Sequence, residues 1–501
     1  MNGTALHTGV HTALPAWKWL LAALVVGALV ALLPLPVSGL FLAGGLVMMA
    51  LFLEPALAVI AMLAVAPLKA LIETETSTGW PFDVGQIALL LTAVVWGLWR
   101  ISHAQLRARP PAWVLVPLLI LSLGFAPSLW SAVSVSAGVV EWAKWGAVIL
   151  LVLIVRDLAG AGRGEWIAFG VVWAAILQAV LGIYQFYGGS GAAHLWIDEF
   201  RHFRAFGTFG QPNPFSALMG LVLPLALGLA WGYAERAWRT RWGSDPSRAR
   251  LDGARALWYG GCALLLLAGL IASWGRGAWL GFGVALITMV FFAPRRRWLG
   301  VVLIAALTAG ALGMWGSGML PPAVQARLES AFADLRGWRD VRGAPLNDAN
   351  YATLERLAHW QAAINMASAH PWTGVGLGNY EVVYAGYALP RWPLALGHAH
   401  NDYLNILAET GLVGVTGYVL GWALIVLGTI RALRQTDPLK RGILIGLLGT
   451  WAHFLAHSLV DKLTVNNLFL HLGVMLGLLA WASEDAARAS LRDNVHAHGD
   501  F

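Results

Sequence analysis

Apolar blocks of roughly 17 to 24 residues recur along this chain, and each is about the length a helix needs to cross a hydrocarbon core of about 30 Å. No other feature constrains the fold as much. A backbone in lipid finds no water to bond, so such blocks become helices that close their hydrogen bonds internally. Composition agrees: 58% of the 501 residues are apolar and 12% are charged, against about 25% charged in soluble domains. The expected fold is an all-α polytopic membrane protein with about 14 transmembrane helices (about 12 to 14) and one large loop between late spans.

Spans are expected near 19–33, 37–53, 56–72, 84–100, 112–129, 133–155, 166–187, 214–233, 255–273, 278–293, 298–315, 411–430, 442–460 and 467–483. The first follows Lys18 as a signal peptide would. Pro34 and Pro36 then lead straight into more apolar sequence without a small-residue cleavage site, so it is read as a retained anchor. The organisation expected is a helical bundle over 1–315 (about 11 spans), an extracytoplasmic loop with an amphipathic helix over 316–410, the last three spans over 411–483, and a cytoplasmic tail over 484–501. The single cysteine, Cys262, excludes a disulfide within the chain.

Lys and Arg collect in short cytoplasmic loops. Here they cluster at Arg100, Arg107 and Arg109; from Arg236 to Arg255; at Arg295, Arg296 and Arg297; and from Arg431 to Arg441. All four clusters share one side if the spans number about 14, which puts both termini inside. The formal charge of +7 then follows from topology and needs no nucleic-acid partner. No inward segment is long enough for a nucleotide-binding domain and no GxxxxGK[ST] run is present, which argues against an ATP- or nucleotide-sugar-using cytoplasmic enzyme. Chemistry belongs on the outer face, where a substrate must arrive already activated.

Three outward clusters carry residues suited to chemistry. From Arg201 to Ala217, Arg201, His202 and Arg204 precede a Gly, Pro and Asn turn that enters a span. Guanidiniums there either grip phosphate oxygens in bidentate fashion or anchor at lipid head groups. Arg276 sits in a minimal turn between two spans, against the charge rule, and reads either as a functional residue or as a snorkelling one. From Gly397 to Gly414, His398 and His400 precede Asn401, Asp402 and Glu409. An imidazole can accept a proton at external pH. The two histidines would diverge on a helix and could share a metal only on an extended segment. No cysteine set or HExxH pattern supports zinc, so no metal and no other cofactor is expected. Asp402 and Glu409 read as orienting carboxylates or as solvated caps.

Further groups invite structural readings first. Glu141 and Lys144 share a helical face inside a span and should neutralise each other or a neighbour. His453 and His457 share another face and suit packing and interhelical hydrogen bonding, while Asp461 and Lys462 just beyond could border the same cavity. Tyr351 to Ser368 has apolar residues at helical spacing, as an amphipathic helix on the bilayer or the protein would. After it, Gly374, Gly376 and Gly378 permit a tight turn that closely approaches a neighbour.

In these segments the chain resembles the O-antigen ligase and polymerase superfamily of bacterial envelope enzymes. The family pattern of His, then Asn, Ser or Gln, nine residues, then GxxG is met by His400, Asn401, Gly411 and Gly414. The RxFGTFxxPNxF type of segment is met from Arg204 to Phe215, and the arginine-glycine link between spans by Arg276 and Gly277. The stretch from Arg356 to Tyr380 also resembles the family's segment upstream of the histidine. Together these cover roughly residues 200 to 470.

The resemblance implies a GT-C-like fold and a metal-independent, inverting glycosyltransferase of the bacterial cytoplasmic (inner) membrane. It would move glycan from undecaprenyl diphosphate to lipid A core or a similar acceptor on the periplasmic face, among membrane lipids. His400 would be the base or the group that orients the acceptor hydroxyl. Arg204 and Arg276, helped by Arg201 or Arg356, would hold the diphosphate. His398, Asn401, Glu409 and Asp461 take second rank, and Trp360, Trp372, Tyr380 and Trp392 are either sugar-stacking surfaces or interfacial anchors. A Wzy-type polysaccharide polymerase and a protein O-oligosaccharyltransferase share the donor chemistry and differ in the acceptor, which is glycan, lipid or protein. A transporter or flippase of the envelope lipid is the rival from another class.

Overall fold

The computed structural model describes residues 44–45, 47–75, 83–103, 111–188, 195–197, 201–242, 246–336, 340–347 and 350–484. The expected span at 19–33, much of that at 37–53 and nearly all of the tail at 484–501 lie outside the described residues. Among the described residues, eight helical stretches of 18 residues or more are apolar enough to cross a membrane, as a polytopic α-helical membrane protein requires. One of them, Val135–Gly188, runs for 54 residues. Ala161 and Gly162 break it, Gly162 with φ 89°, so it is two helices joined at a turn.

In chain order the helices are α1 (Ala56–Glu75), α2 (Val84–Ser102), α3 (Ala112–Trp130), α4 (Val135–Leu158), α5 (Gly164–Gly188), α6 (Pro212–Thr240), α7 (Pro246–Ala272), α8 (Arg276–Phe292) and α9 (Arg297–Gly316). Then follow α10 (Pro322–Arg336), α11 (Tyr351–Ala369), α12 (Asp402–Ala432), α13 (Pro438–His457) and α14 (Leu468–Ala482). α8 and α14 are apolar but shorter, at 17 and 15 residues. A two-stranded antiparallel hairpin, β1 (Trp196–Ile197) and β2 (His202–Phe203), lies between α5 and α6.

Several helix starts are written locally. Asp83 accepts from the Gln86 amide at 2.9 Å while the Gln86 side chain returns to the Asp83 amide, a complete capping box. Asp437 caps α13 through the Lys440 amide at 2.8 Å, and Asn401 caps α12 through the Leu404 amide at 3.0 Å.

Association of the helices rests on close backbone approach, because lipid is as apolar as the side chains themselves. α6 is the most enclosed span, with 83% of its apolar window buried, whereas α9 has 6% buried and lies at the periphery. α6 meets α13 through Gly228 and Gly232 on one side and Gly442 and Gly446 on the other. A Cβ on Gly228 would fall 2.3 Å from the Gly442 carbonyl oxygen, and one on Gly442 would fall 2.4 Å from that of Gly228. Thr450 adds a hydrogen bond to the Leu221 carbonyl across the same seam, at 2.8 Å.

The long segment after α9 folds back onto the bundle. α11 buries Leu354, Leu357, Ala358, Ala362, Ala363 and Met366, and they pack on Tyr380, Tyr384, Trp392, Val375 and Ala408. Its apolar face therefore serves the protein rather than the bilayer. The three glycines of the turn at 374–378 all have positive φ, and a Cβ on Gly374 would lie 2.3 Å from the Glu409 carbonyl carbon. That turn lies flat against α12, where Gly411 (φ 61°) interrupts the helix and the Leu412 amide donates to Pro371 O at 2.8 Å.

Replacing Gly228 or Gly442 by leucine should therefore force α6 and α13 apart at a cost of about 1–3 kcal/mol or more, as overpacking does. Thermal unfolding in detergent should show a clear drop for both variants. Gly283→Leu, where nothing lies within 4 Å of the added Cβ, should leave the midpoint unchanged.

Candidate functional site

The turn before α12 is built to hold His400 in one orientation. The His400 amide donates to His398 Nδ1 at 3.1 Å, the Ala399 amide to Asn405 Oδ1 at 3.1 Å, and the Trp360 indole to the His400 carbonyl at 3.2 Å. The result is a left-handed backbone at His400, φ 52°, a conformation that an L-residue keeps only when its surroundings impose it. Because this segment is not helical, His398 and His400 do not diverge: their rings lie 4.4 Å apart.

Asp461, between α13 and α14, faces both. Its Oδ1 is 3.6 Å from His400 Nδ1 and 4.0 Å from His398 Nε2. Burial acts to raise the Asp461 carboxyl, but the neighbouring His400, His398 and His457 outweigh it and hold it below the usual carboxylate range. Burial, reinforced by His400, pushes His398 down to about 3 against the opposing pull of Asp461, so this imidazole is neutral at physiological pH. Its Nδ1 already accepts the His400 amide, which leaves the proton on Nε2, toward Asp461. The three groups offer ligand atoms within 4.8 Å of one another, a two-histidine, one-carboxylate donor set that suits a divalent transition ion. The objection raised by their sequence spacing does not apply to this turn.

Beside the histidines lies a cleft of about 200 Å³ lined by Arg204, Arg276, Arg327 and Arg356, against Asp461 as its single carboxylate. The arginines come from four places: the loop before α6, the first residue of α8, α10 and α11. Arg204 Nε donates to the Ser273 carbonyl at 3.1 Å, and Arg327 clamps the Trp274 carbonyl from Nε and Nη2 at 3.1 and 2.7 Å. Burial and then the charges of Arg356 and Arg276 bring Arg204 down to about 10. The N-termini of α6 and α8 both reach this cleft through Asn213, Ser216, Gly275 and Gly277, adding their amides and dipoles to the positive field. Such a field is relieved by a polyanion.

Beneath the site runs a buried ionic layer. Lys462 reaches Glu141 on α4 at 3.1 Å, and Lys144 pairs with the same carboxylate, as the spacing of Glu141 and Lys144 leads one to expect. Burial would lower the Lys462 ammonium, but Glu141, Glu409 and Asp402 outweigh it and raise it. Asp402 accepts from the Tyr418 hydroxyl at 2.9 Å.

Of the residues singled out in the sequence, His398, His400 and Asp461 share one cavity, and Arg204, Arg276 and Arg356 share the adjoining cleft. Arg201 is exposed and lines neither. Asn401 and Glu409 act on backbone instead: Asn401 caps α12, and Glu409 accepts from the Tyr380 amide at 3.1 Å. Trp360, Trp372, Tyr380 and Trp392 line neither cavity. His453 and His457 meet at 3.4 Å, and His457 also borders the arginine cleft. Sequence reading missed Arg327 and Asn213. Arg327 sits among ordinary charges in an amphipathic segment, where nothing marks it. Asn213 lay within the PNPF segment already singled out, and its position at the first turn of a span was the available signal.

The site occupies the ends of α6, α8, α12 and α13 opposite those bearing the basic clusters at Arg236–Arg255, Arg295–Arg297 and Arg431–Arg441. Residues 261–419 match a family model described as O-antigen ligase. This stretch contains Arg276, Arg327, Arg356, His398 and His400 but ends before Asp461. No curated protein matches the chain.

His398 and His359, the latter brought down to about 4 by burial and by His400, are neutral in the fold where the unfolded chain binds protons. Between about pH 6.5 and 4 the unfolded state therefore holds more protons, so stability falls as pH falls through that window. Asp461 adds its own loss only below the ordinary carboxylate range. Unfolding midpoints in detergent should drop as pH is lowered from 7.5 to 4.5, and His359→Gln should flatten the slope.

Proposed function

We propose that this chain, whose residues 261–419 match a family model described as O-antigen ligase, is a GT-C-like membrane glycosyltransferase acting on a glycan carried by undecaprenyl diphosphate. The observation that carries this reading is the four-arginine cleft beside His400 and Asp461. The acceptor hydroxyl attacks the anomeric carbon from the side opposite the diphosphate, so a carbon–oxygen bond forms as the bond to the phosphate oxygen breaks, with inversion. His400 takes the hydroxyl proton on Nε2 while its Nδ1 faces Asp461, or orients that hydroxyl for attack. Undecaprenyl diphosphate leaves with the bonding electrons, and its growing charge is met by Arg204, Arg276, Arg327 and Arg356. Fixed guanidiniums supply there what a metal supplies elsewhere, so transfer is metal-independent.

The basic loops lie at the opposite helix ends, and the charge rule assigns those to the cytoplasm. The site then opens on the periplasmic face of the bacterial inner membrane, where an activated lipid-linked donor needs no ATP. The acceptor in this reading is lipid A core or a similar glycan; polymerisation of lipid-linked units and transfer to protein use the same donor chemistry.

The test is transfer from a synthetic polyprenyl diphosphate glycan to lipid A core, to a second donor molecule and to an acceptor protein. Wild type should form a covalent product that persists in a chelator, while His400→Ala and Arg276→Ala should each lower the rate at least about 100-fold, the scale of lost acid–base or charge stabilisation. Chelator-sensitive transfer restored by zinc would overturn the metal-free step and assign the ion to His398, His400 and Asp461. Relocation of the lipid without new covalent product would replace the enzyme by a transporter.

A further inference from the structure

The site is two chambers rather than one. The arginine cleft has a neighbour of about 180 Å³ that His398 and His400 line and no arginine reaches. The two chambers share only Asn213 and Asp461 among their lining residues. This division matches a reaction with two substrates of opposite character, an anionic leaving group on one side and a neutral nucleophile on the other.

The polar lining of the histidine chamber is of an unusual kind. Besides the two histidines, Asp461 and Lys462, its polar lining comes from the carboxamide residues Gln211, Asn213 and Asn466. Among the described residues, none of these three side chains has a hydrogen-bond partner, and Gln211 occupies the N-cap of α6 without bonding to its own helix. Asn466 and Asn467 are consecutive left-handed residues, φ 49° and 62°. Asn467 is tied to Asp83 Oδ1 at 3.0 Å, which fixes the turn that delivers Asn466. Each carboxamide has both donating and accepting ends, the pattern that pairs with hydroxyls. Pro214, Leu463 and Val465 complete the wall with apolar surface, suited to the carbon–hydrogen face of a sugar ring. The chamber has room for about six waters at the ~30 Å³ each occupies in the liquid, a monosaccharide-scale space.

Resting on the glycosyl-transfer reading above, we propose that this chamber is the acceptor subsite and that it selects a carbohydrate, through the carboxamides of Gln211, Asn213 and Asn466, over the lone hydroxyl of a serine or threonine. The ring lies with one hydroxyl toward His400 and its neighbours bonded to the carboxamides, while Asn213 forms part of the wall between acceptor and diphosphate.

The experiment compares acceptor and donor kinetics in purified full-length protein, using lipid A core or a second lipid-linked glycan, monodeoxy analogues of its terminal sugar, and a serine-bearing peptide. Gln211→Ala and Asn466→Gly, the latter chosen to keep the left-handed turn, should raise acceptor KM at least about 10-fold with donor KM within about two-fold. Wild type should discriminate against the matching deoxy acceptor by at least about 10-fold, as sites built to bond a hydroxyl do, and each variant should lose most of that discrimination. Arg276→Ala should show the opposite split, in the donor. A rise in donor KM for Gln211→Ala, or unchanged acceptor kinetics in both carboxamide variants, overturns the subsite while leaving glycosyl transfer standing. Efficient wild-type transfer to the peptide overturns the carbohydrate selection. Absence of transfer to any acceptor defeats the glycosyltransferase reading itself, and the subsite with it.

Discussion

A buried ammonium group must be paired, and around Lys462 that requirement organises the site. Its partner Glu141 comes from α4, in the first half of the bundle, at 3.1 Å. The carboxylates that reinforce it, Asp402 and Glu409, come from α12. Removing either side would leave an uncompensated charge in a poorly solvated place, which costs several kcal/mol, roughly 3–5 where measured for buried pairs. The ion pair therefore fixes the level of the short segment after α13 against α4 and α12. Because Asp461 is the preceding residue, the carboxylate facing both histidines is positioned by the same anchor.

From that anchor the remaining geometry follows in layers. Asp402 N bonds to the Ser458 carbonyl at 2.8 Å, joining the start of α12 to the end of α13. Gly277 allows α8 to start against that end, since a Cβ there would fall 2.5 Å from Val460 Cγ2. α8 in turn carries Arg276 to the cleft. On the far side the glycine seam between α6 and α13 sets where α6 begins, and so where Gln211 and Asn213 stand. Charged residues at the site thus depend on small residues deep in the bundle, which transmit position because nothing flexible lies between the backbones.

How much of this was legible in the sequence differs by residue and for physical reasons. The spans were readable because lipid enforces a length and an apolar composition on every crossing helix. The eight stretches found among the described residues each overlap a range set by hydropathy but run past it, most of all at the starts of α7 (Pro246) and α12 (Asp402), and the break at Ala161 and Gly162 separates two spans that one continuous helical assignment would merge. His400 and Arg276 were readable because a motif and a misplaced charge mark them. Glu409 was ambiguous by sequence: a carboxylate two residues before Gly411 can cap, orient or solvate, and only the folded turn at Gly374–Gly378 shows that it accepts from the backbone there. Arg327 was invisible, because membership in a four-arginine cleft depends on α10 folding back to Trp274, a contact 53 residues away in sequence. The cleft itself could not be inferred from any one segment, since its members come from four.

Two costs are concentrated in the same small volume: a left-handed backbone at His400 and the burial of Arg204 beside Arg356 and Arg276, which together bring it down to about 10. Strain of the first kind is of order 1–3 kcal/mol, and the fold retains it through three specific hydrogen bonds around residues 398–401. Neither cost improves packing elsewhere. In the proposed reaction both would be put to use: the guanidiniums by an anion, the held imidazole by a hydroxyl. A site whose polar groups are already oriented need not reorganise as charge develops, and that is the condition under which fixed side chains stabilise developing negative charge. The same condition explains why the long segment after α9 packs so firmly on α12. Arg327 and Arg356 would contribute little on a mobile loop, and the apolar face of α11 is what removes that freedom.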